Sequence, residues 1–562
     1  MKKSFFIFIF VSSILLGSSF VNAATNKELR IGTDQEFESL NPVIHQMSAS
    51  TYIGYMVWHH VTALDADWKW QCWICIEMPT LENGKAKIVE EGGKKKIIAE
   101  WEIKPNAKWG DGTPITGKDV KLGWEVGGSP NVSVGEKDKY TDVEDIILDP
   151  ANPKKFTTKF KEATYNFYQL GTFYILPEHL ERSVWEKTKN TVGEYEKQTK
   201  YSTDATNPGL YSGPYKVSEI QLGSHVILTP NPYFYGIPAK IEKIVIKLIP
   251  DTATLEANLL SGTIDMVSEL GFTLDQSLAF EKRVAKDTVL QQKYKVVYRD
   301  GPIYEHIDLN LRNPLLKDVR VRQALVNAID RDKLTQALFE GKQKKAIHDM
   351  HPLDPYYTED VNLYPYDPAK AEALLEESGF KKGADGIRYK DGQKLTFQFM
   401  TTAQDKTREL VQVYLQNEWK KVGIDVTIKN EPARVYFGET VRKGLYPAMA
   451  MFAWTGSPDN PPRHLYLASQ IPTEANGYSG QNSGGWVNPI VEKNLVEIFR
   501  EFDFDKRKEL MKQVLQEYTR EVPVIPLYNR TEIAVVPANL KGYRMTGHQF
   551  YGTMTVNEWT LE

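Results

Sequence analysis

The sequence predicts an α/β protein built from two or three interleaved domains, and three observations carry that prediction. Its 562 residues exceed the size of one ordinary domain. Its later third alternates amphipathic helical patterns with short apolar strands, the order expected of an α/β lobe. Strand-like runs recur from residue 28 onward, with no internal repeat, low-complexity segment or proline-rich linker between them. A composition of 41% hydrophobic and 25% charged residues is globular and excludes disorder and collagen-like structure. Lys and Arg number 69 against 73 Asp and Glu, too even a balance for a nucleic-acid binder. An aromatic content of 11% supplies rings of the kind that line sites for amphipathic ligands.

The elements follow in chain order. Lys2 and Lys3 lead an apolar run over residues 5–16, followed by Gly17-Ser18-Ser19 and Val21-Asn22-Ala23. Positive start, short apolar centre and small-x-small cleavage site make residues 1–23 a secretory signal peptide. The run is shorter than the roughly 20 residues that span a bilayer, and no later stretch approaches that length. Ala23 and Ala24 stand where a lipoprotein carries cysteine, so the expected product is unlipidated and periplasmic. Losing Lys2 and Lys3 moves the net charge of −4 further negative, a mild acidity that points to no particular partner.

Residues 28–33 alternate as a strand that runs into the turn at Asn41-Pro42, where the residue before proline is pushed out of helix. Residues 86–89 and 97–103 form a hairpin joined through Gly92-Gly93, with Lys94, Lys95 and Lys96 read as solvated. Asp111-Gly112 makes a tight turn, and Thr116 is the N-cap of a helix carrying Val120, Leu122 and Trp124. Strands return at 214–217, 224–228 and 241–249. Helices are predicted over 319–339, 368–378, 406–422 and 505–520, several opening at Asp or Pro, with strands over 395–400 and 424–428.

Several of these segments together resemble the family 5 extracellular solute-binding proteins of ABC transporters. Trp109-Gly110-Asp111-Gly112-Thr113-Pro114, with Thr116 and Asp119-Val120, is similar to the family's "DGTPLTAEDV" segment. Leu176-Pro177-Glu178-His179 resembles its "LPKH", and Gly213-Pro214-Tyr215 with Asn231-Pro232-Tyr233 resembles its "GTGPY" and "RNPDYWG". Leu260-Ser261-Gly262-Thr263-Ile264-Asp265 and Asp318-Val319-Arg320-Val321-Arg322-Gln323-Ala324-Leu325 continue the series in family order. Each motif is weak alone, and the ordered set is specific. The resemblance implies a two-lobed periplasmic-binding-protein fold (type II, cluster C) with an extra inserted domain. It places a first lobe at 24–50, 201–305 and 529–562, the extra domain at 51–200 and the second lobe at 306–528. It also implies a monomer that captures an oligopeptide or peptide-like solute and delivers it to permease subunits in the inner membrane, without cofactor or nucleic acid.

The leading binding candidate is the short apolar strand and polar turn that hold Phe452, Ala453, Trp454, Ser457 and Asp459. In the peptide-binding members that this segment resembles, the strand pairs with the ligand main chain, and an acid three residues after the Trp receives the peptide ammonium. Ser457 stands at that position here, so a free α-amine is a less certain handle and an opine, oligosaccharide or metal chelate is the rival cargo. Asp459 either reaches ligand in its place or caps the turn. His45, Gln46 and Met47 match the region that supplies the first-lobe side of the site. Asn476, Tyr478, Gln481 and Trp486 combine amides and rings suited to a polar ligand, and pack as an ordered loop otherwise. Arg434, and after it Arg442, offers a planar fork for a carboxylate or a surface ion pair.

Catalysis has little foothold. Cys72 and Cys75 have redox spacing but no clear helix start, which favours a structural disulfide or two buried thiols. His348 and His351 lack the His-Glu-x-x-His pattern of a zincin, and neither they nor His59-His60 make a convincing metal site. Neither a nucleophile elbow nor a phosphate loop is present. A periplasmic enzyme using the cysteine pair or the His348/His351 cluster remains the rival from another class.

Overall fold

Two long strands organise the molecule. In the computed structural model, which describes residues 27–562 except 38, 46, 135, 136, 172, 250, 404, 433, 434 and 477–479, Tyr294–Leu309 and Val524–Pro537 run antiparallel through an 11-stranded sheet. The expected signal segment lies outside the described residues. Residues 294–300 pair with 531–537, and residues 304–308 pair with 524–529. The register slips between these ladders at Asp300/Tyr304, and again within the second at Glu305/His306. Gly301-Pro302 occupies the first slip, and proline has no N–H with which to continue a ladder.

The slip divides the sheet into two halves. One continues through Met266–Val267, Glu28–Thr33, Lys243–Leu248, His225–Pro230 and Tyr215–Gln221. The other continues through Met449–Thr455, Thr396–Met400 and Asp425–Ile428. Each half has its own core. Leu29, Ile31, Leu228, Ile244 and Val536 pack with Tyr52, Ile53 and Val57 of the helix Ser48–Val57. Leu309, Phe397, Phe399 and Ile525 pack with Val321, Leu325, Leu415 and Trp419 of the helices Val319–Asn327 and Lys406–Lys421. A third core, holding Trp101, Trp109 and Val120, lies beneath the four-stranded sheet of Ala86–Glu91, Lys94–Glu102, Lys155–Phe160 and Val143–Leu148.

Local signals explain much of this. Thr116 caps the helix Gly117–Gly128 through a capping box with Asp119, which satisfies donors that the first turn leaves unpaired. Gly92 and Gly93 have φ of 61° and 74°, the left-handed pair that a tight hairpin turn needs. The lysines after that turn are not simply solvated, since Lys96 pairs with Glu91 and Glu144. The helix predicted over 319–339 is two helices, Val319–Asn327 and Arg331–Phe339. The Asp330 side chain accepts from Lys333 N at 2.9 Å and starts the second helix afresh. Neither long crossing strand is apparent in the sequence, because the polar breaks at Asp300-Gly301-Pro302 and Asn529-Arg530 interrupt their apolar patterns.

Candidate functional site

Where the two halves of the sheet meet, two cavities of about 530 and 590 Å³ open side by side and share Pro302, Thr455 and Ser457 as a common wall. Each falls within the range of about 300–1,000 Å³ usual for small-molecule sites. The first is lined by His45, Ser48 and Tyr55 from the start of the chain, by Tyr140 and Tyr174, and by Glu532, His548 and Tyr551. The second is lined by Trp68, Lys137 and Lys139 on one side, and by Tyr304, Asp349, Asp354, Trp454 and Gln481 on the other.

The strand Met449–Thr455 forms one wall, and its position follows from its pairing. Along its whole length it pairs antiparallel with residues 303–309 of the first crossing strand. On its other edge the ladder to Thr396–Met400 includes only Met449 and Ala450. Among the described residues, the backbone of 452–455 therefore has a strand neighbour on one side only. An unpaired strand edge that borders a cavity offers a row of amide donors and acceptors to an extended ligand.

The expected site residues separate into those that reach the cavities and those that hold the walls. His45, Trp454, Ser457 and Gln481 line the cavities. The His45 ring stacks on Trp58 with centroids 5.0 Å apart, and its Nε2 lies 3.3 Å from the Tyr174 hydroxyl. Met47 is the N-cap residue of Ser48–Val57, is 39% exposed and lines neither cavity. Phe452 is buried against His306, Tyr436 and Trp454, so its side chain belongs to the core behind the wall. Ala453 is half-buried opposite Glu305. Trp486 is buried, donates its Nε1 proton to Glu521 at 2.7 Å, and lines a small side pocket together with Trp454 and Gln481. Arg442 is exposed and lines neither cavity. Gln46, Arg434 and Tyr478 lie outside the described residues, as does the Asn476 side chain.

Asp459 turns away from both cavities into a contact with residues 165–169. Its carboxylate accepts from the Tyr168 hydroxyl at 3.0 Å and from Gln169 Nε2 at 2.8 Å, and its carbonyl accepts from the Tyr165 hydroxyl at 2.8 Å. Pro458 does redirect the chain, since Asp459 adopts φ of 54°, but the turn aims the acid at a neighbouring segment. The sequence also misses Pro302, Tyr304, Asp349 and Glu532, because they come from the crossing strands and an irregular loop.

The walls carry both kinds of titratable group, with Asp349, Asp354 and Glu532 set against Lys137 and Lys139. Burial raises the Asp354 carboxyl to about 7, with Asp459 beside it adding to the effect. Burial likewise raises Glu532, and the Glu269 charge pushes in the same direction. Behind the wall, Glu305 is fully buried and receives Arg408 Nε at 2.7 Å and Arg530 Nη2 at 2.6 Å. Burial pushes its carboxyl up, but the Arg530 and Arg408 guanidiniums outweigh burial and hold it below the usual range.

The rival constellations are occupied structurally. Cys72 and Cys75 form a disulfide, and Cys75 is fully buried. His348 Nε2 donates to the Thr358 carbonyl at 2.8 Å while its Nδ1 accepts from Met350 N, leaving neither ring nitrogen for a metal. His351 Nδ1 accepts from Leu353 N, and His59 and His60 are buried among Trp73, Tyr174 and Tyr235. Among the described residues, no group of three or more potential ligands could hold a metal ion.

Known proteins share this fold. The chain is 25% identical over 542 residues to the oligopeptide-binding protein AppA of Bacillus subtilis, covering 95% of this chain and 91% of that one. The oligopeptide-binding protein of Thermus thermophilus, solved with a pentapeptide, superposes with a TM-score of 0.72 at 28% identity, covering 95% and 96% of the two chains. NikZ of Campylobacter jejuni, solved with Ni(L-His), shares the fold with a TM-score of 0.73 at 23% identity, over 95% and 99% of the chains. The two-lobed fold is that of these proteins, with the crossing strands linking its lobes. The family model of bacterial extracellular solute-binding proteins, family 5, matches residues 95–474. The chain belongs to that family of solute-binding proteins.

Proposed function

We propose that this chain is the periplasmic substrate-binding component of an ABC importer, capturing oligopeptides or peptide-like solutes and delivering them chemically unchanged to permease subunits in the inner membrane. The observation that carries the reading is the one-sided pairing of residues 452–455, a strand edge whose end at Trp454 and Thr455 lines the cavity wall. An extended peptide main chain is the ligand whose donors and acceptors fit such an edge. The oligopeptide-binding relatives support the same cargo. On this reading residues 24–50, 201–305 and 529–562 form the first lobe, 51–200 the extra domain and 306–528 the second lobe, and residues 1–23 are removed on export. Ligand bridging the lobes favours a closed state by its differential contacts, and that state is what the permease recognises. The protein makes and breaks no covalent bond. It acts as a monomer, without cofactor.

A second cargo class, metal chelates, is favoured by Ser457 in place of an acid and by fold relatives solved with Ni(L-His) and Fe(III)-EDTA. Thermal melting separates the two. A broad peptide pool should raise the melting temperature by preferential binding to the folded form. A pool without effect, set against a shift from nickel–histidine, would replace the peptide by the chelate.

A further inference from the structure

We propose that the small pocket off the second cavity, between Tyr466 and Asp349, is a subsite for an organic cation, the ammonium or guanidinium end of the bound solute. The proposal deepens the peptide reading, which supplies the source of the cation. The pocket has a volume of about 30 Å³ and opens from the second cavity past Tyr304, Asp349, Trp454 and Gln481. That volume holds roughly two water-sized groups, enough for a charged terminus but not for a whole side chain. The stem of such a group would lie in the larger cavity.

The lining selects the charge. Walls of Tyr304, Trp454, Tyr466, Trp486 and Tyr518 present aromatic rings, and Asp308 and Asp349 supply two carboxylates. Among the described residues neither Lys nor Arg lines the pocket, and His306 is its one basic ring. The Tyr304 and Tyr518 hydroxyls are paired with each other at 2.7 Å. Three other buried polar atoms, Asp349 Oδ1, the Tyr466 hydroxyl and His306 Nε2, make no well-formed hydrogen bond among the described residues, although the Tyr466 hydroxyl acts on the Asp349 carboxyl. Tyr466 is 4% exposed and His306 1%. His306 Nε2 lies 3.3 Å from Asp308 Oδ1.

Buried polar groups in folded proteins are ordinarily paired, and an unpaired carboxylate oxygen facing a cavity is a costly feature to retain. An anion placed here would meet two carboxylates. A neutral apolar group would leave the Asp349 carboxyl without a counter-charge, with the Tyr466 hydroxyl its nearest support. A cation with N–H donors satisfies Asp349 through a charge-assisted bond and lies against ring faces that attract positive charge. The state of Asp349 agrees. Burial raises its carboxyl above the usual range against the opposing influence of His348, Tyr466 and His306, as expected where a counter-charge is missing. The pocket is also preformed, because every described residue lining it falls between 304 and 524 and none of them comes from the opposite wall of the cleft.

The test compares wild type with Asp349→Asn and Tyr466→Phe, using three matched pools of short peptides. One pool carries free ammonium and Lys or Arg, the second is Nα-acetylated, and the third has norleucine and citrulline in place of Lys and Arg. Wild type should prefer the fully cationic pool over at least one neutralised pool by about tenfold or more, the discrimination expected of a charge-assisted bond. The pool that loses affinity tells whether the α-ammonium or a side chain enters. Asp349→Asn should bring the ratio close to one, and Tyr466→Phe should lower it. No preference in wild type, or a preference that survives both substitutions, overturns the proposal. If Asp349→Asn fails to fold, or if no pool binds so that the peptide reading falls separately, n-butylammonium is titrated into wild type while the Asp349 carboxyl resonance is followed. A saturable shift supports the subsite, and an unmoved resonance overturns it.

Discussion

Glu305 shows how one residue can hold the junction of the lobes. It is fully buried beside the register slip, and its two oxygens are shared between Arg408 and Arg530. Removing the acid leaves two guanidiniums facing each other without a counter-charge. Glu305→Gln is expected to cost about 3 kcal/mol in chemical denaturation, near the lower end of what breaking a buried ion pair costs. Because the folded carboxyl is held below its unfolded value of 4.5, its contribution is fully present above about that pH and is lost as pH falls through the lowered folded value. The difference between wild type and variant should therefore be constant from pH 8 to 5 and shrink only in stronger acid. A difference already vanishing at pH 6 would contradict this assignment. Trp454 makes the complementary case for binding, since it lines both the second cavity and the side pocket. Trp454→Ala should weaken peptide binding about tenfold or more in calorimetry, as central aromatic anchors do, with far-ultraviolet circular dichroism unchanged. Unaltered affinity would remove this strand from the site.

At the scale of elements, the turn after Met449–Thr455 acts as a fastening. Asp459 receives Tyr168 and Gln169, and Tyr165 N donates to the Phe499 carbonyl nearby, so residues 165–169 are docked against the segments that hold Asp459 and Phe499. Asp459→Ala should cost about 1–3 kcal/mol, the penalty for leaving buried donors unpaired, and should speed hydrogen exchange over 165–169. Asp459→Asn keeps an acceptor and tolerates the left-handed backbone, so it should recover part of the loss. Equal losses in both variants would mean that the backbone, not the carboxylate, sets the contact. The same element shows what was legible in the sequence. The Met449–Thr455 strand, the Thr116 cap and the helix–strand alternation after residue 319 are local patterns that the sequence carries, apart from the break at Asp330 that splits the helix expected over 319–339. The aim of Asp459 is not local. It depends on residues nearly 300 positions earlier, and nothing in the Pro458 turn distinguishes a ligand from a neighbouring hydroxyl. Asp349 follows His348 in a loop where only the histidines draw notice in the sequence, and its place beside Tyr466 and His306 comes from the fold.

For the whole molecule, the family order of weak motifs carried the two-lobed plan, while the lengths of the crossing strands became apparent only in the structure. Both strands carry polar residues where an apolar alternation would have marked them. Those residues are the register slip, the Glu305 ion pairs and the cavity wall at Pro302. The features that hide the strands from a pattern reading are thus the ones that let the lobes meet around a cleft. If solute bridges that cleft, its effects must appear on both walls together. Hydrogen–deuterium exchange with and without a peptide pool measures this most directly. Binding should slow exchange at once in residues 45–57 on one wall and in residues 452–457 on the other. Protection confined to a single wall, or none despite a measured affinity, would contradict capture between the lobes.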